Sequence, residues 1–285
     1  MIKILCLCTV RNRVEKTRLA IYKLNKALEN IPLIQYKIVM VDDGSTDNTV
    51  DIISHSYPHV TIIQGDGSLF WARGMLKGFD STWNNDYSHL LVFNDDSDFC
   101  IDTLRLIFIS LNASEKCISN SIFVGAFIDE FSSKVTYGVQ VKKRSFLPFS
   151  FKVMPICDQI QFGDTLNMNF AIIPNEIIAK IGFLDPYFTH SMADFDYGLR
   201  ARKAGFNICQ LPSFVGRCSR NSKSNSWEDF NLTFLQKIKS LHSVKYFPPK
   251  ERLHLLMRHT GMMAPIYFLY PYFKIFCSML TLRKH

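Results

Sequence analysis

Apolar residues run almost unbroken through IKILCLCTV at the amino end, and the same texture returns in YKIVMVDD, VTIIQ and HLLVFNDD. Strands read this way when both faces are buried, the mark of a parallel sheet covered by helices. An amphipathic stretch from about Val14 to Leu28, a short helix candidate after Thr46 and another from Trp71 to about Trp83 separate the four runs. Strand and helix in alternation predict an open α/β sheet. Farther on, IFVGAFI, VTYGVQV, LNMNFAIIP and FNICQLP predict more strands, with a helix from Asn175 to Ile181. No repeat or low-complexity linker interrupts residues 1 to 215; near Ser219 the polar run RNSKSNSW begins, and the chain beyond it reads as helical and basic. The pattern therefore predicts an α/β domain over residues 1–217 and a helical extension over 218–285.

One helix stands out by its charges. In HSMADFDYGLRARKAGF, Asp194 and Asp196 open the segment, Arg200, Arg202 and Lys203 close it, and Gly205 fits the left-handed position that ends a helix. Acids first and bases last suit any helix macrodipole. Leu199 and Ala204, with Tyr197 or Arg200, are the candidates for its core-facing stripe. Asp194 lies at or just before the helix start, beside the aromatic approach PYFTHSM, where a carboxylate could face a cleft.

Composition narrows the class. A chain of 285 residues with 47% hydrophobic content can bury a large core, which argues against disorder. Its eight cysteines, at 6, 8, 100, 117, 157, 209, 218 and 277, form neither a CxxC pair nor a metal-finger spacing, so they read as buried, reduced thiols of a cytoplasmic protein. The opening MIKILCLCTV has no small-residue cleavage site and reads as a first core strand rather than a signal peptide.

The net charge of +8 is unevenly placed. Residues 200 to 285 hold 15 of the 33 Lys and Arg and 3 of the 25 Asp and Glu, which is +12, and residues 1 to 199 are left at −4. No nucleic-acid reader motif accompanies this basic third, so nucleic acid is not an expected partner. A basic region beside apolar aromatics points instead to an anionic membrane surface or a phosphate-bearing partner.

The chemistry is expected where the strands end, because ligands of open α/β sheets bind beyond the carboxyl ends of the strands. Those ends carry Thr9 to Asn12, Asp42-Asp43-Gly44-Ser45, Gly65-Asp66-Gly67 and Asn94-Asp95-Asp96. GDGSLF is not a dinucleotide fingerprint, and no P-loop occurs. Acid remains: Asp95, Asp96 and Asp98 come directly after a buried strand, where they either hold Mg²⁺ or Mn²⁺ or merely turn the chain toward the next helix.

Five stretches in order, VDDGSTDNT, GDGSLFWARGMLKG, FNDDSD, LNMNFAIIP and GFLDPYFTHSMADFDYGLRARKAGF, resemble the family 2 inverting glycosyltransferases of the GT-A fold, over about residues 3 to 215. The resemblance implies a nucleotide-sugar-binding sheet flanked by helices. It places Thr9 and Asp43 near the nucleotide base, Asp96 on the metal, and Asp194 as the base that deprotonates the acceptor hydroxyl. It also sets Asp66, Trp71 and Arg73 in a loop by the donor, and Arg11, Asp42 and Asp95 complete the nucleotide-sugar set. Pocket aromatics such as Trp71, Tyr187 and Phe188 are candidates for sugar stacking, though Trp71 equally suits a core position at a helix start. The chain departs from the family's pattern at Ala193, where Glu is usual, and at Cys218, where a metal-binding His is often found; His190 either substitutes for that His or is a loop residue, and the loop reading is favoured.

The resemblance further implies inverting transfer of a hexosyl or deoxyhexosyl unit from a nucleotide-sugar donor to a glycan or polyprenyl-linked acceptor in bacterial-type surface polysaccharide synthesis. The alternatives are a nucleotidyltransferase of sugar activation, although CTVRNRVEK lacks the glycines such a loop needs, and a non-catalytic sugar-binding or membrane scaffold protein. The stretch APIYFLYPYFKIFCSMLTL, residues 264 to 282, approaches the length of a membrane span, yet Pro265, Pro271 and Lys274 disfavour one. Tyr267, Tyr270 and Tyr272 instead favour a helix lying peripherally on the inner membrane face, with a core helix or a homodimer contact as the other readings.

Overall fold

A computed structural model describes residues 1–113, 120–143, 149–220 and 224–282. Strand β1 (Ile2–Val10), helix α1 (Val14–Leu28), β2 (Ile34–Asp42), α2 (Thr49–Ser56), β3 (Thr61–Gln64), α3 (Phe70–Thr82) and β4 (His89–Phe93) succeed one another as the alternation predicts. β1 pairs in parallel with β2 on one side and β4 on the other, and β3 extends the sheet beyond β2. Because side chains alternate across a strand, β1 feeds two cores at once. Leu5 and Leu7 pack with Ala72 and Met75 of α3, while Ile4, Cys6 and Cys8 pack with Ala20, Ile21 and Leu24 of α1.

α3 lies unusually close to the sheet, and glycine is the reason. A Cβ on Gly74 would stand 2.6 Å from Thr9 Cγ2, and one on Gly78 would stand 2.5 Å from Leu7 Cδ1. The absent side chains let the start of α3 settle over the end of β1, which fixes Trp71 relative to Thr9.

The second half is mixed rather than parallel. It comprises β5 (Asp98–Phe99), α4 (Ile101–Ala113), β6 (Ser121–Ile128), β7 (Val135–Tyr137), β8 (Val139–Lys142), β9 (Phe151–Val153), β10 (Gln161–Phe162), β11 (Thr165–Leu166), β12 (Phe170–Pro174), α5 (Asn175–Ile181), α6 (Ala193–Lys203) and β13 (Asn207–Arg217). β12 inserts antiparallel between β4 and β6. The chain makes an excursion of short strands between β6 and β12 and re-enters the sheet from the opposite end, so the continuous apolar run of β12 marks burial on both faces and not direction. VTYGVQV is two strands, not one. It breaks at Gly138, whose φ of 150° turns the chain, so β7 joins the main sheet and β8 the small sheet β11-β8-β9. LNMNFAIIP divides likewise, with Leu166 in β11 and its tail in β12.

The small sheet carries α6. A Cβ on Gly198 would meet Thr165 Oγ1 at 2.4 Å, and that hydroxyl donates to the Phe195 carbonyl at 2.9 Å. The buried face of α6 is Ala193, Asp196, Tyr197, Gly198 and Ala201. Leu199 and Ala204, the expected stripe, are only half-buried. What the amphipathic reading missed is that a carboxylate takes a core position.

Asp196 is fully buried and fully answered. Its carboxylate accepts from Arg200 Nε at 2.7 Å, from Arg258 Nη1 at 2.9 Å on both oxygens, and pairs with His259 Nε2 at 2.9 Å. Arg258 also bridges to Asp185, which His254 Nε2 reaches at 3.0 Å. Burial by itself would raise the Asp196 carboxyl, but His259, Arg200 and Arg258 outweigh it and hold the group below the ordinary carboxylate range. Asp185 is held at about 2; there too burial opposes, and the Tyr187 backbone N–H, His254 and Arg258 prevail.

Arg258 and both histidines belong to the extension, which consists of α7 (Phe234–Leu241), α8 (Pro249–Thr260) and α9 (Ala264–Leu282). Among the described residues no helix is long and apolar enough to cross a membrane. α9 packs inward through Ala264, Tyr267 and Ile275 and leaves Ile266, Leu269, Tyr270, Phe273 and Phe276 exposed. Of the three tyrosines, only Tyr270 faces out; Tyr267 is buried, and the Tyr272 hydroxyl bonds His242 Nε2 at 2.8 Å. The thiols are likewise less uniform than expected: Cys157 is exposed, and Cys100, Cys218 and Cys277 are half-buried, while Cys117 lies outside the described residues.

Arg258→Met should destabilise the fold by about 3 kcal/mol, because it leaves a buried carboxylate short of a partner. Urea titration at neutral pH measures this. Depressed carboxyls stabilise above their unfolded pKa and lose that contribution as pH falls through the folded value, so the variant should also show a weaker loss of stability between about pH 4 and about pH 2.

Candidate functional site

The ends of β1, β2 and β4, the start of α3 and the start of α6 open onto one cavity of about 790 Å³, a volume typical of small-ligand sites. Its wall includes Thr9, Arg11, Asp43, Trp71, Asp95, Asp96 and Asp194. These seven, from segments up to 185 positions apart, stand together as the sequence reading expects. Three of the expected residues stand elsewhere. Asp42 is buried and accepts from the Ser45 backbone N–H at 3.0 Å, so it shapes the turn; Asp66 is exposed and binds Ser68; Arg73 points out of α3.

Asp43 organises the loop between β3 and α3. Its carboxylate accepts from the backbone N–H groups of Gly67 at 2.9 Å, Leu69 at 3.1 Å and Phe70 at 2.9 Å. Three convergent N–H donors draw the loop after β3 onto β2, and Arg11 closes it from the other side by donating to the Gly67 carbonyl. Phe70 adopts a left-handed backbone as a result, φ 56°, and Met192, also in the wall, has φ 70°. Bulky residues hold such conformations only where the surroundings impose them, and such strain gathers at functional sites.

Polar atoms in this wall lack partners. Thr9 Oγ1, Trp71 Nε1 and Asn94 Oδ1 are buried without a hydrogen bond among the described residues. Buried polar groups are nearly always bonded, so three orphans around one cavity mark a surface made for a polar ligand.

The acidic strand end is different. Arg13, at the start of α1, places Nη1 3.0 Å from Asp95 Oδ1 and 2.9 Å from Asp96 Oδ2. Asp95 also accepts from the Thr17 hydroxyl at 3.2 Å; burial pushes its carboxyl up to about 7 against the pull of Arg13. Cys218 lines the same wall, and burial, with Asp96 next, pushes its thiol up to about 12. Among the described residues no three His, Cys, Asp or Glu side chains converge as a metal set. With Arg13 already bridging both carboxylates, this donor set does not fit a divalent ion, and Asp96 is in this geometry an arginine partner.

Asp194 faces the cavity from the first turn of α6. One oxygen accepts from the Phe195 N–H at 2.8 Å and the other from Asn167 Nδ2 at 3.4 Å. Asn167 is oriented in turn by Gln140, which donates to its carbonyl oxygen at 2.6 Å. Burial raises the Asp194 carboxyl above the ordinary range even though these donors lower it. Asp196, two residues on, is in the ion network and not in the wall. The buried Ala193 shows that the position where the family has Glu is a packing site here.

Residues the sequence reading missed complete the wall. His190, expected in a loop, faces the cavity, and its Nδ1 accepts from the Trp71 N–H at 3.3 Å. Lys245, Tyr246 and Phe247 enter from the extension, held there by Ser191, whose hydroxyl bonds the carbonyls of Val244 at 3.0 Å and Tyr246 at 2.6 Å. The aromatic lining is Phe70, Trp71, Phe149, Phe151 and Phe195 rather than Tyr187, which stacks on His254, or Phe188, which is core. Arg13 had a signal, being a charge just past a strand end. Lys245 had none, because only tertiary packing brings it in.

Comparison with known proteins agrees with this geometry. Residues 9–134 match the family described as glycosyl transferase family 2. No curated protein matches the chain in sequence. Among solved structures, S. aureus TarS 1-349 superposes with a TM-score of 0.58 at 12% identity, over 99% of this chain and 92% of that one. GalNAc-T7 with UDP, GalNAc and Mn²⁺ superposes with a TM-score of 0.58 at 11% identity, over 88% of this chain and 51% of that one. At such identities the structural likeness is one of fold. The matched segment contains β1 to β4, the part of the sheet that presents Thr9, Asp43, Asp95 and Asp96.

Asp43→Ala should release the loop from Gly67 to Phe70. Hydrogen exchange at those amides should quicken markedly, and stability should fall by about 2 kcal/mol, the scale of hydrogen bonds to a charged acceptor. Unchanged exchange at Gly67, Leu69 and Phe70 would show that the carboxylate does not hold them.

Proposed function

We propose that this protein, a glycosyltransferase by the family 2 domain it carries and GT-A in fold, transfers a sugar with inversion from a nucleoside diphosphate donor to a hydroxyl of a glycan or polyprenyl-linked acceptor. One observation carries the reading: the desolvated carboxylate of Asp194 shares a single cavity with the strand-end residues Thr9, Asp43 and Trp71. The family match favours this over nucleotidyl transfer, and a desolvated acid in the cavity favours it over a scaffold.

The step is dictated by the charges. The acceptor hydroxyl approaches Asp194, which takes its proton as the acceptor oxygen forms a bond to the anomeric carbon. The bond from that carbon to the diphosphate oxygen breaks on the opposite face, and its electron pair leaves with the nucleoside diphosphate. A carboxyl raised above its usual pKa is a stronger base, and a base so placed contributes about 10²–10⁴-fold. Asn167 and the Phe195 N–H keep the carboxylate aimed. The orphaned Thr9 Oγ1, Trp71 Nε1 and Asn94 Oδ1 supply polar contacts to the donor, and Phe149, Phe151 and Phe195 offer apolar faces to a sugar ring. Arg13 engages both carboxylates that would hold the Mg²⁺ or Mn²⁺ implied by the family resemblance.

The acceptor side suits a membrane surface. The exposed row Ile266, Leu269, Tyr270, Phe273 and Phe276 lies on α9, in a region carrying 12 positive charges net, and would rest on an anionic leaflet. That placement suits a peripheral enzyme of the cytoplasmic membrane face, acting on a lipid-linked intermediate of surface polysaccharide synthesis.

Asp194→Asn should keep donor binding and lose turnover at least about 10²-fold. In the wild type the rate should fall on the acid side through a pKa above the ordinary carboxylate value, since only the ionised form accepts the proton. A fully active Asp194→Asn would end the assignment. Separately, Leu269→Gln with Phe273→Gln, both exposed, should reduce sedimentation with anionic liposomes and leave thermal stability unchanged; undiminished sedimentation would remove the membrane contact.

A further inference from the structure

The charged groups in the cavity wall can be matched one by one. Asp43 is answered by three backbone N–H groups, Asp95 and Asp96 by Arg13, and Asp194 by Phe195 and Asn167. Every carboxylate has its partner. The cations do not. Arg13 uses Nη1 alone, so Nε and Nη2 remain free on a side chain that is 46% exposed. Lys245 makes no ion pair or hydrogen bond among the described residues. His190 accepts from Trp71 at Nδ1, so its ring proton sits on Nε2, which has no partner among the described residues.

These three groups are also neighbours. Burial first, and then Lys245 and Arg13, make protonation of His190 unfavourable. Two cations close enough to disfavour a third, in one cavity and with free donors, form a site that an anion would stabilise.

We propose that Arg13, His190 and Lys245 form a cradle for the diphosphate of the donor, so that the protein's own cations, one of them delivered by the C-terminal extension, neutralise the leaving group. This rests on the nucleotide-sugar reading above. The source is the donor rather than a diphosphate-linked acceptor, because Arg13 is anchored at the β4 strand end, on the nucleotide side of the cavity. Lys245 and Arg13 contribute charge, and His190 donates from Nε2 while neutral. The diphosphate would thus be shared between the family 2 segment, which holds Arg13, and the extension, which holds Lys245.

The test is calorimetric binding in EDTA of UDP, GDP and dTDP, each against its own nucleoside, and of farnesyl diphosphate, to the full-length chain. The wild type should bind one diphosphate without added metal. Lys245→Gln, a change at an exposed side chain, should weaken that diphosphate about tenfold, the scale of one charged hydrogen bond, and leave the nucleoside unchanged. Lys245→Arg should restore most of the affinity. Equal affinity of wild type and Lys245→Gln would overturn the cradle, and so would equal losses for diphosphate and nucleoside. Wild-type binding that vanishes in EDTA and returns with Mn²⁺ would assign the diphosphate to a metal instead. Loss confined to farnesyl diphosphate would move the site to the acceptor. Should the wild type bind none of the three diphosphates, with or without Mn²⁺, it is the nucleotide-sugar reading itself that fails.

Discussion

A carboxylate buried to zero exposure on the inner face of α6 constrains this molecule more than any other group. Asp196 cannot stay ionised there without partners, since the cost of an unpaired buried charge exceeds what a single contact returns. One partner, Arg200, lies a turn further along the same helix; the others, Arg258 and His259, come from α8. The extension is therefore part of the catalytic fold. Its helices dock where the buried acid needs them, and the segment leading into α8 lines the cavity.

That docking links stability to chemistry over two residues. Asp194 and Asp196 stand in the same helical turn, yet one faces the cavity with its carboxyl raised and the other faces the core with its carboxyl lowered. Burial pushes both the same way. Neighbouring groups make the difference: Asp196 has two arginine cations and a hydrogen-bonded histidine, and Asp194 has only neutral donors. The pair shows how one helix end can both hold a fold and present a desolvated carboxylate to a cavity, because the helical period turns nearby acids to different surroundings.

The donor side works by a related balance. Asp43 commits its two oxygens to backbone N–H groups, and Asp95 with Asp96 engages Arg13, so acids that read as ligands for a metal act here as organisers of loop and arginine. The glycines at 74 and 78 let α3 sit on the sheet closely enough for Trp71 and Thr9 to border one space. Strain at Phe70 and Met192, both in the wall of that space, is what remains once these constraints are met.

Local pattern determined much of this protein. The alternation of β1 to β4 with three helices, the start and end of α1, the helix at Asn175 and the gathering of Thr9, Asp43, Asp95 and Asp96 were legible, because burial on both faces of a strand and the polar ends of a parallel sheet leave their mark within a few residues; Asp194 was reached only through the resemblance of its stretch to a known family. The direction of β12 was not, since a doubly buried strand has the same composition either way round. Nor was the division of VTYGVQV, which depends on two sheets competing for one run. Only tertiary structure decided that Asp196 is core, that Asp42, Asp66 and Arg73 leave the wall, and that His190 and Lys245 enter it. Asp196, His190 and Lys245 owe their places to partners more than 20 positions away or to a helix docking from the far end of the chain, whereas Asp42 and Asp66 are taken up within their own turns by Ser45 and Ser68; the energy of a buried charge is set by such distant neighbours as well as by the residues beside it.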